Sequence, residues 1–141
     1  MKKYVINAIS TDGYERFAVI KSSGHNVELN VHFLEYDEFL DNNEESIKKK
    51  NGDILEGDLS IELVSTHRKV EDELGFCQNI PKSSHIEAVV EVVKVVDEYS
   101  LYAHSSILED SILIEFECEV DYKVGERVFV IGSLEINPID I

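Results

Sequence analysis

From Ile112 to Asp121 the chain alternates strictly: Ile112, Ile114, Phe116, Cys118 and Val120 share one parity, and Leu113, Glu115, Glu117, Glu119 and Asp121 share the other. Successive side chains of a β-strand point to opposite faces, so this stretch predicts a strand over Ile112–Val120 with an apolar face inward and an acidic face outward. A slip of one residue would bury three glutamates and expose the apolar set, so the sidedness is strongly specified. The same sidedness recurs twice. Leu55, Leu59, Ile61 and Leu63, with Gly57 among them, stand opposite Glu56, Asp58, Ser60 and Glu62, while Val27, Leu29, Val31 and Phe33 alternate with Glu28, Asn30 and His32.

Further strands are predicted over Lys3–Ile9, Tyr14–Lys21, Ser100–His104 and Arg127–Ile136, with Asp12-Gly13 marking a hairpin turn and Val124-Gly125-Glu126 a weaker one. Ile86–Val96 fits a helical face as well as a strand. Six of its residues are valine, whose branched Cβ favours pleated structure, and Val92 and Val95 would interrupt a helix's polar side, so a strand is predicted here too. One short helix is expected after Asn42, with Asn42 as cap, Glu44 and Glu45 in the first turn, Lys48–Lys50 at its end and Asn51-Gly52 as its stop. Helical turns are also expected at Leu34–Leu40 and Val70–Leu74. The fold class that follows is mainly β: a single-domain antiparallel sheet, barrel-like or a sandwich, with one or two short helices. The domain is read as residues 1–141, with a possible internal connection near 77–84, and no internal repeat or low-complexity tract is read from the chain.

Composition narrows the function classes. The chain has 141 residues, 29 acidic and 13 basic, for a formal charge of −16. Nucleic acids and anionic membranes call for a cationic footprint, so neither is an expected partner. Asn7, Ser10 and Asp12 interrupt the first apolar stretch before a signal-peptide core forms, and Glu87, Glu91 and Lys94 break the most apolar run well short of a membrane span. Cys77 and Cys118 are too few for a disulfide framework and lack paired zinc spacing, which makes a reducing cytoplasm the expected home.

No catalytic pattern is legible, and the expectation is of no enzyme, no cofactor and no metal. His25, His32, His67, His85 and His104 are scattered without ligand spacing, and Ser84-His85 and His104-Ser105 are neighbours that a strand would point to opposite faces. Cys77 sits close in sequence to Glu71, Asp72 and Glu73, which oppose thiolate formation, and Cys118 reads as a small core residue. Asp41-x-Asn43-x-Glu45 opens like a calcium loop, but Ser46 stands where glycine is needed and Gly52 where the bidentate glutamate belongs.

The acids themselves remain: Glu115, Glu117, Glu119 and Asp121 on one predicted strand, Glu56, Asp58 and Glu62 on another, and Glu35, Asp37 and Glu38 in a run without bases. Like charges two apart on a strand repel, so such ladders cost stability unless something basic covers them. Tyr36, Phe39, Tyr99, Tyr102 and Tyr122 sit beside these acids and are candidate anchors. The predicted function is a non-enzymatic binding protein that neutralises a basic protein partner by covering it.

Two resemblances bear on this. The cadence from Ile86 to Ile136, with its valine-rich strand, the Asp97-Glu98 turn, Ile112–Phe116 and Gly125–Gly132, resembles an OB-like barrel. It carries only Lys94, Lys123 and Arg127 as bases. In size, acidity and lack of a catalytic motif the chain resembles immunity proteins of bacterial toxin systems, including contact-dependent growth inhibition. That resemblance implies a toxin nuclease as the partner, with the inhibitor lying over its active site. The rival expectation is an OB-like module of a larger nucleic-acid or secretion assembly acting through protein contacts.

Overall fold

The computed structural model describes residues 2–22, 27–42, 44–108 and 110–139, so the readings of His25 and Asn43 lie outside the described residues. Nine strands follow along the chain: β1 (Lys2–Asp12), β2 (Glu15–Ser22), β3 (Glu28–Leu34), β4 (Ile54–Val70), β5 (Gly75–Cys77), β6 (His85–Val95), β7 (Ser100–His104), β8 (Ile112–Phe116) and β9 (Arg127–Pro138). The mainly β expectation is met, but no helix occurs among the described residues, and two strand pairings are parallel. Both facts correct the expected antiparallel sheet with short helices.

The helix predicted after Asn42 is displaced by side-chain bonding. Ser46 Oγ accepts the amides of Lys48 (3.1 Å) and Lys49 (3.0 Å), and the Glu38 carboxylate accepts that of Ile47 (3.0 Å). Such bonds offer the backbone a non-helical alternative, and a helix this short gains too few intrahelical bonds to outweigh its nucleation cost. Of the two other expected helical turns, Leu34–Leu40 holds only a single turn at Tyr36-Asp37, closed by Glu38 N donating to Glu35 O (3.4 Å), and Val70 ends β4 with no turn after it up to Leu74.

The strands form two compact units: unit 1 takes Met1–Asp58, Ile80–Ser84 and Glu135–Ile141, and unit 2 takes Leu59–Asn79 and His85–Leu134. In unit 1, β1 pairs antiparallel with β2 and with the start of β4, β2 pairs with β3, and β3 meets the end of β9 in parallel at His32↔Glu135. Ile139 N donates to Glu56 O (2.9 Å), bringing the chain after β9 back to β4. In unit 2, β6 pairs antiparallel with β7 and with the start of β9, β7 pairs with β8, and β8 runs parallel to the rest of β4. The short strand β5 flanks β6. The stretch from Ile86 to Ile136 therefore does not complete a barrel from its own strands, because unit 2 also uses Leu59–Val70 of β4.

The two units share one strand plan, and the residues that close it correspond. Lys2↔Gly57 in unit 1 matches Ile86↔Gly132 in unit 2. A Cβ on Gly57 would run into the carbonyl oxygen of Asn137, five residues beyond Gly132, and one on Gly132 would meet the carbonyl oxygen of Glu62 at 2.5 Å, five residues beyond Gly57. Each glycine lets two backbones approach where no side chain fits. The equivalence is written in the sequence as Gly-x-Leu-x-Ile at 57–61 and again at 132–136, which corrects the reading that no repeat exists. Leu59, Ile61, Leu134 and Ile136 of these motifs are all buried core residues.

Leu63 is the exception to the β4 alternation. It lies in the left-handed region (φ 59°) at a register shift between Ile61 and Val64, so its side chain is 64% exposed and Val64 fills the core position instead. A left-handed leucine is strained, and bulges of this kind re-aim a strand.

Candidate functional site: two acid and aromatic loops

In both units the tip of the first hairpin is tied to the end of the third strand and the loop that follows it. Glu35 N donates to Tyr14 O (2.8 Å) in unit 1, and Phe116 N donates to Tyr99 O (2.8 Å) in unit 2. One residue earlier on each tip, Gly13 exchanges backbone bonds with Leu40 (2.7 and 3.1 Å), and Glu98 O accepts from Val120 N (2.8 Å). The hairpin tyrosines Tyr14 and Tyr99 are thus equivalent, and both are exposed.

Unit 1 carries the larger aromatic surface. Tyr14 is 44%, Tyr36 74% and Phe39 65% exposed, with Tyr14 lying 6.2 Å from Tyr36 and edge-on to Phe39 at 5.2 Å between ring centroids. Beneath them lies Arg16, fully buried on the inward parity of β2 that it shares with Ala18 and Ile20. Its guanidinium donates to the carbonyl oxygens of Gly13 (2.9 Å), Glu15 (3.0 Å) and Glu38 (2.6 Å) and pairs with the Glu38 carboxylate at 3.4 Å. The planar, always charged fork suits this task of holding several oxygens in fixed directions. Ser46 Oγ also donates to Glu38 (2.5 Å), and Thr11 Oγ1 donates to Glu44 O (2.7 Å). Burial alone would raise the Glu38 carboxyl, but the bonds from Ser46, Ile47 and Arg16 outweigh it and hold it below its ordinary value.

Several residues predicted as an outward acidic surface therefore have other roles. Glu35 is buried, with Lys49 Nζ at 3.6 Å and Lys48 Nζ at 4.0 Å, and Glu38 is part of the frame. Asp37 is exposed beside Tyr36 and meets Lys48 at 3.4 Å. Glu56 and Asp58 belong to unit 1, half-buried and exposed respectively, whereas Glu62 belongs to unit 2 and accepts a bond from Ser60 Oγ (2.6 Å). Unit 1 also holds His32 between Glu135 (2.6 Å) and Glu15 (3.3 Å); the bond to Glu135 above all raises its pKa despite partial burial.

In unit 2 the strand predicted to reach Val120 stops at Phe116: Val64↔Phe116 is the last pair of its parallel ladder, with Glu117 N donating to Val64 O (2.9 Å), and beyond it the chain turns back so that Val120 N donates to Glu98 O (2.8 Å). Ile114 and Phe116 point inward as expected, but Cys118 is exposed, which corrects its assignment to the core. Glu115, Glu117, Glu119 and Asp121 are all exposed, yet only Glu115 sits on a strand, so they form an acidic loop in place of a ladder. Partial burial, with Glu62 and Asp97 nearby, raises the Glu115 carboxyl above its usual range. Tyr99 and Tyr102 are exposed, while Tyr122 is half-buried against Phe116 and His67, its hydroxyl 2.7 Å from His67 Nδ1. Burial first, then Asp121, Glu126 and Cys118, pushes the Tyr122 phenol up.

Residues the sequence reading passed over are Tyr14, Arg16 and His67. Only Arg16 left a signal, as a basic residue on the inward parity of a strand. Among the described residues no group of three or more His, Cys, Asp or Glu side chains is arranged to hold a metal ion. Compared with families of known proteins, with curated proteins and with solved structures, the chain matches none.

Proposed function

We propose that this chain is a non-enzymatic binding protein that neutralises a basic protein partner, such as a toxin nuclease, by covering its active site. One observation carries the reading: Tyr14 on the hairpin tip and Tyr36 and Phe39 on the loop tied to it stand exposed together, and a fully buried arginine bonds both segments. Exposed aromatic side chains held rigid lose little entropy on binding and make good anchors. Asp12, Glu15, Asp37 and Asp41 are exposed around them, and a formal charge of −16 disfavours partners that are not basic. On this reading the aromatics supply affinity and the carboxylates supply encounter rate, in a cytoplasmic setting.

The test is capture of the partner from native cells by a tagged chain, followed by binding kinetics with the purified partner. Tyr36→Ala is expected to weaken binding by roughly thirtyfold, the effect of losing one aromatic anchor of about 2 kcal/mol, chiefly by faster dissociation. The on-rate of the unaltered chain should fall steeply as salt rises. An acidic partner, or Tyr36→Ala and Phe39→Ala both binding as tightly as the unaltered chain, sinks the reading.

A further inference from the structure

Two residues beyond the end of β8, the exposed thiol of Cys118 lies 3.7 Å from Nε2 of His67 on β4. Nδ1 of the same ring is 2.7 Å from the Tyr122 hydroxyl. Phe116 and Tyr122 pack edge-on against the imidazole, with centroids at 5.2 and 5.6 Å. The ring is therefore fixed both by a polar partner on one nitrogen and by aromatic neighbours at its sides. The Nδ1 contact accommodates either tautomer, and the one in which Nδ1–H donates to the phenol oxygen leaves the Nε2 lone pair facing the thiol. A nucleophile, a base within reach of it and a third group orienting the base is the arrangement that activates thiols. The other thiol offers an internal contrast, since Cys77 is also exposed but its Sγ is bonded to Asn79 Oδ1 (2.6 Å).

We propose that Cys118 is a modification site at which the thiol, deprotonated by His67, exchanges with small disulfides that are neutral or cationic. The proton passes from Sγ to Nε2, and the thiolate attacks one sulfur of a disulfide R–S–S–R. A bond forms between Cys118 Sγ and that sulfur as the R–S–S–R bond breaks, and the departing RS⁻ takes the proton from His67 to leave as RSH. Cys118 is oxidised to the mixed disulfide and the departing half is reduced, so the incoming disulfide is the only co-reactant. Carboxylates lie close to both thiols and oppose both thiolates, so His67 is what sets Cys118 apart; Glu117, Glu119 and Asp121, all exposed within three residues of Cys118, repel an anionic reagent and attract a cationic one.

The experiment reacts the full-length chain with cystamine, a dicationic disulfide, and with glutathione disulfide, an anionic one, and follows adducts at each cysteine by peptide mass mapping. Cys118 is expected to react with cystamine roughly tenfold or more faster than Cys77, and to prefer cystamine over glutathione disulfide more strongly as salt is lowered. His67→Gln should bring the Cys118 rate down to that of Cys77 and leave Cys77 unchanged. Tyr122→Phe keeps the aromatic packing and removes only the hydroxyl, so it should slow Cys118 by a smaller factor with the melting temperature preserved. Equal rates at the two cysteines in the unaltered chain overturn the proposal, as does a folded His67→Gln chain that reacts at the original rate. Should His67→Gln fail to fold, an unchanged Cys118 rate in Tyr122→Phe overturns it instead.

Discussion

Unit 1 and unit 2 hold the same loop in place by different means. In the matched registers Arg16↔Phe33 and Leu101↔Ile114, the buried residue on the second strand is a cation in one unit and an aliphatic in the other. At the matched position where the third strand ends, Glu35 just past β3 in unit 1 and Phe116 closing β8 in unit 2, unit 1 buries a carboxylate and unit 2 a phenyl ring. Unit 2 thus secures its loop by apolar burial, with Phe116 packed against His67 and Tyr122. Unit 1 secures its loop with a guanidinium that gathers three backbone oxygens and one carboxylate. The hairpin tyrosines Tyr14 and Tyr99 are exposed in both units, but on the loops themselves the polar solution leaves Tyr36 and Phe39 exposed in unit 1, whereas Tyr122 of unit 2 is half-buried. A buried charge is a costly way to pack a core, and its use here in place of leucine fits a loop kept rigid for recognition.

The largest test of this contrast is Arg16→Leu, which gives unit 1 the residue that unit 2 already has. The carbonyls of Gly13, Glu15 and Glu38 would lose a charged donor, and the cost is expected at about 3 kcal/mol, the range for removing one member of a buried, hydrogen-bonded charge network. Urea denaturation measures the loss, and near-ultraviolet circular dichroism reports whether the tyrosines lose their fixed environment. A chain as stable as the original, with unchanged tyrosine signals, would mean that Arg16 is not what holds the loop.

Next in size are the paired glycines. Gly57→Ala and Gly132→Ala each press a methyl group against a backbone carbonyl, which cannot move aside as a side-chain tip can. Each should cost about 1–3 kcal/mol by overpacking. Because the positions are equivalent in the strand plan, the two costs should be similar, as thermal or urea denaturation of the two variants would show. One substitution tolerated without loss and the other severe would break the equivalence of the units.

How much of this was legible in the sequence follows from the range of the interactions involved. Alternation located several of the strands, β3, the first half of β4 and β8 most clearly, because a half-buried strand writes its two faces directly into residue type, and β6 was reached through its valine content instead. Leu63 and Cys118 defeated alternation, since a left-handed residue and a chain that turns back to bond Val120 N to Glu98 O end the pattern without changing its letters. The helix after Asn42 had its cap and charge signals in order, but Ser46 and Glu38, eight residues apart, claimed the backbone instead. The acidic residues were visible as charges only. Whether Glu35 faces solvent or Lys49 depends on a segment fourteen residues away, which no local pattern encodes. The repeated Gly-x-Leu-x-Ile was present all along, but its meaning requires two strands that meet over long sequence separation.

The smallest expected effect lies at Glu115, whose equivalent in unit 1 is Leu34, both being exposed on the third strand beside their matched partners Ser100 and Glu15. Glu115 is partly desolvated and faces Glu62 and Asp97, so its ionised form is disfavoured in the folded chain and its carboxyl titrates above the ordinary range. Glu115→Gln keeps the shape and removes the charge, and should stabilise the chain at neutral pH by about 0.3 kcal/mol, a small gain because the group is exposed and screened. The sign with pH follows. The folded chain holds this proton more tightly than the unfolded chain does, so the group's penalty is full above its raised pKa and fades as pH falls through it toward the ordinary carboxylate value. The advantage of Glu115→Gln should shrink over that same interval, measured as the difference in urea midpoints across a pH series in high and low salt. If the carboxylate is kept for recognition, the more stable variant should also associate more slowly with the basic partner, a trade of stability against function that Leu34 in unit 1 does not face.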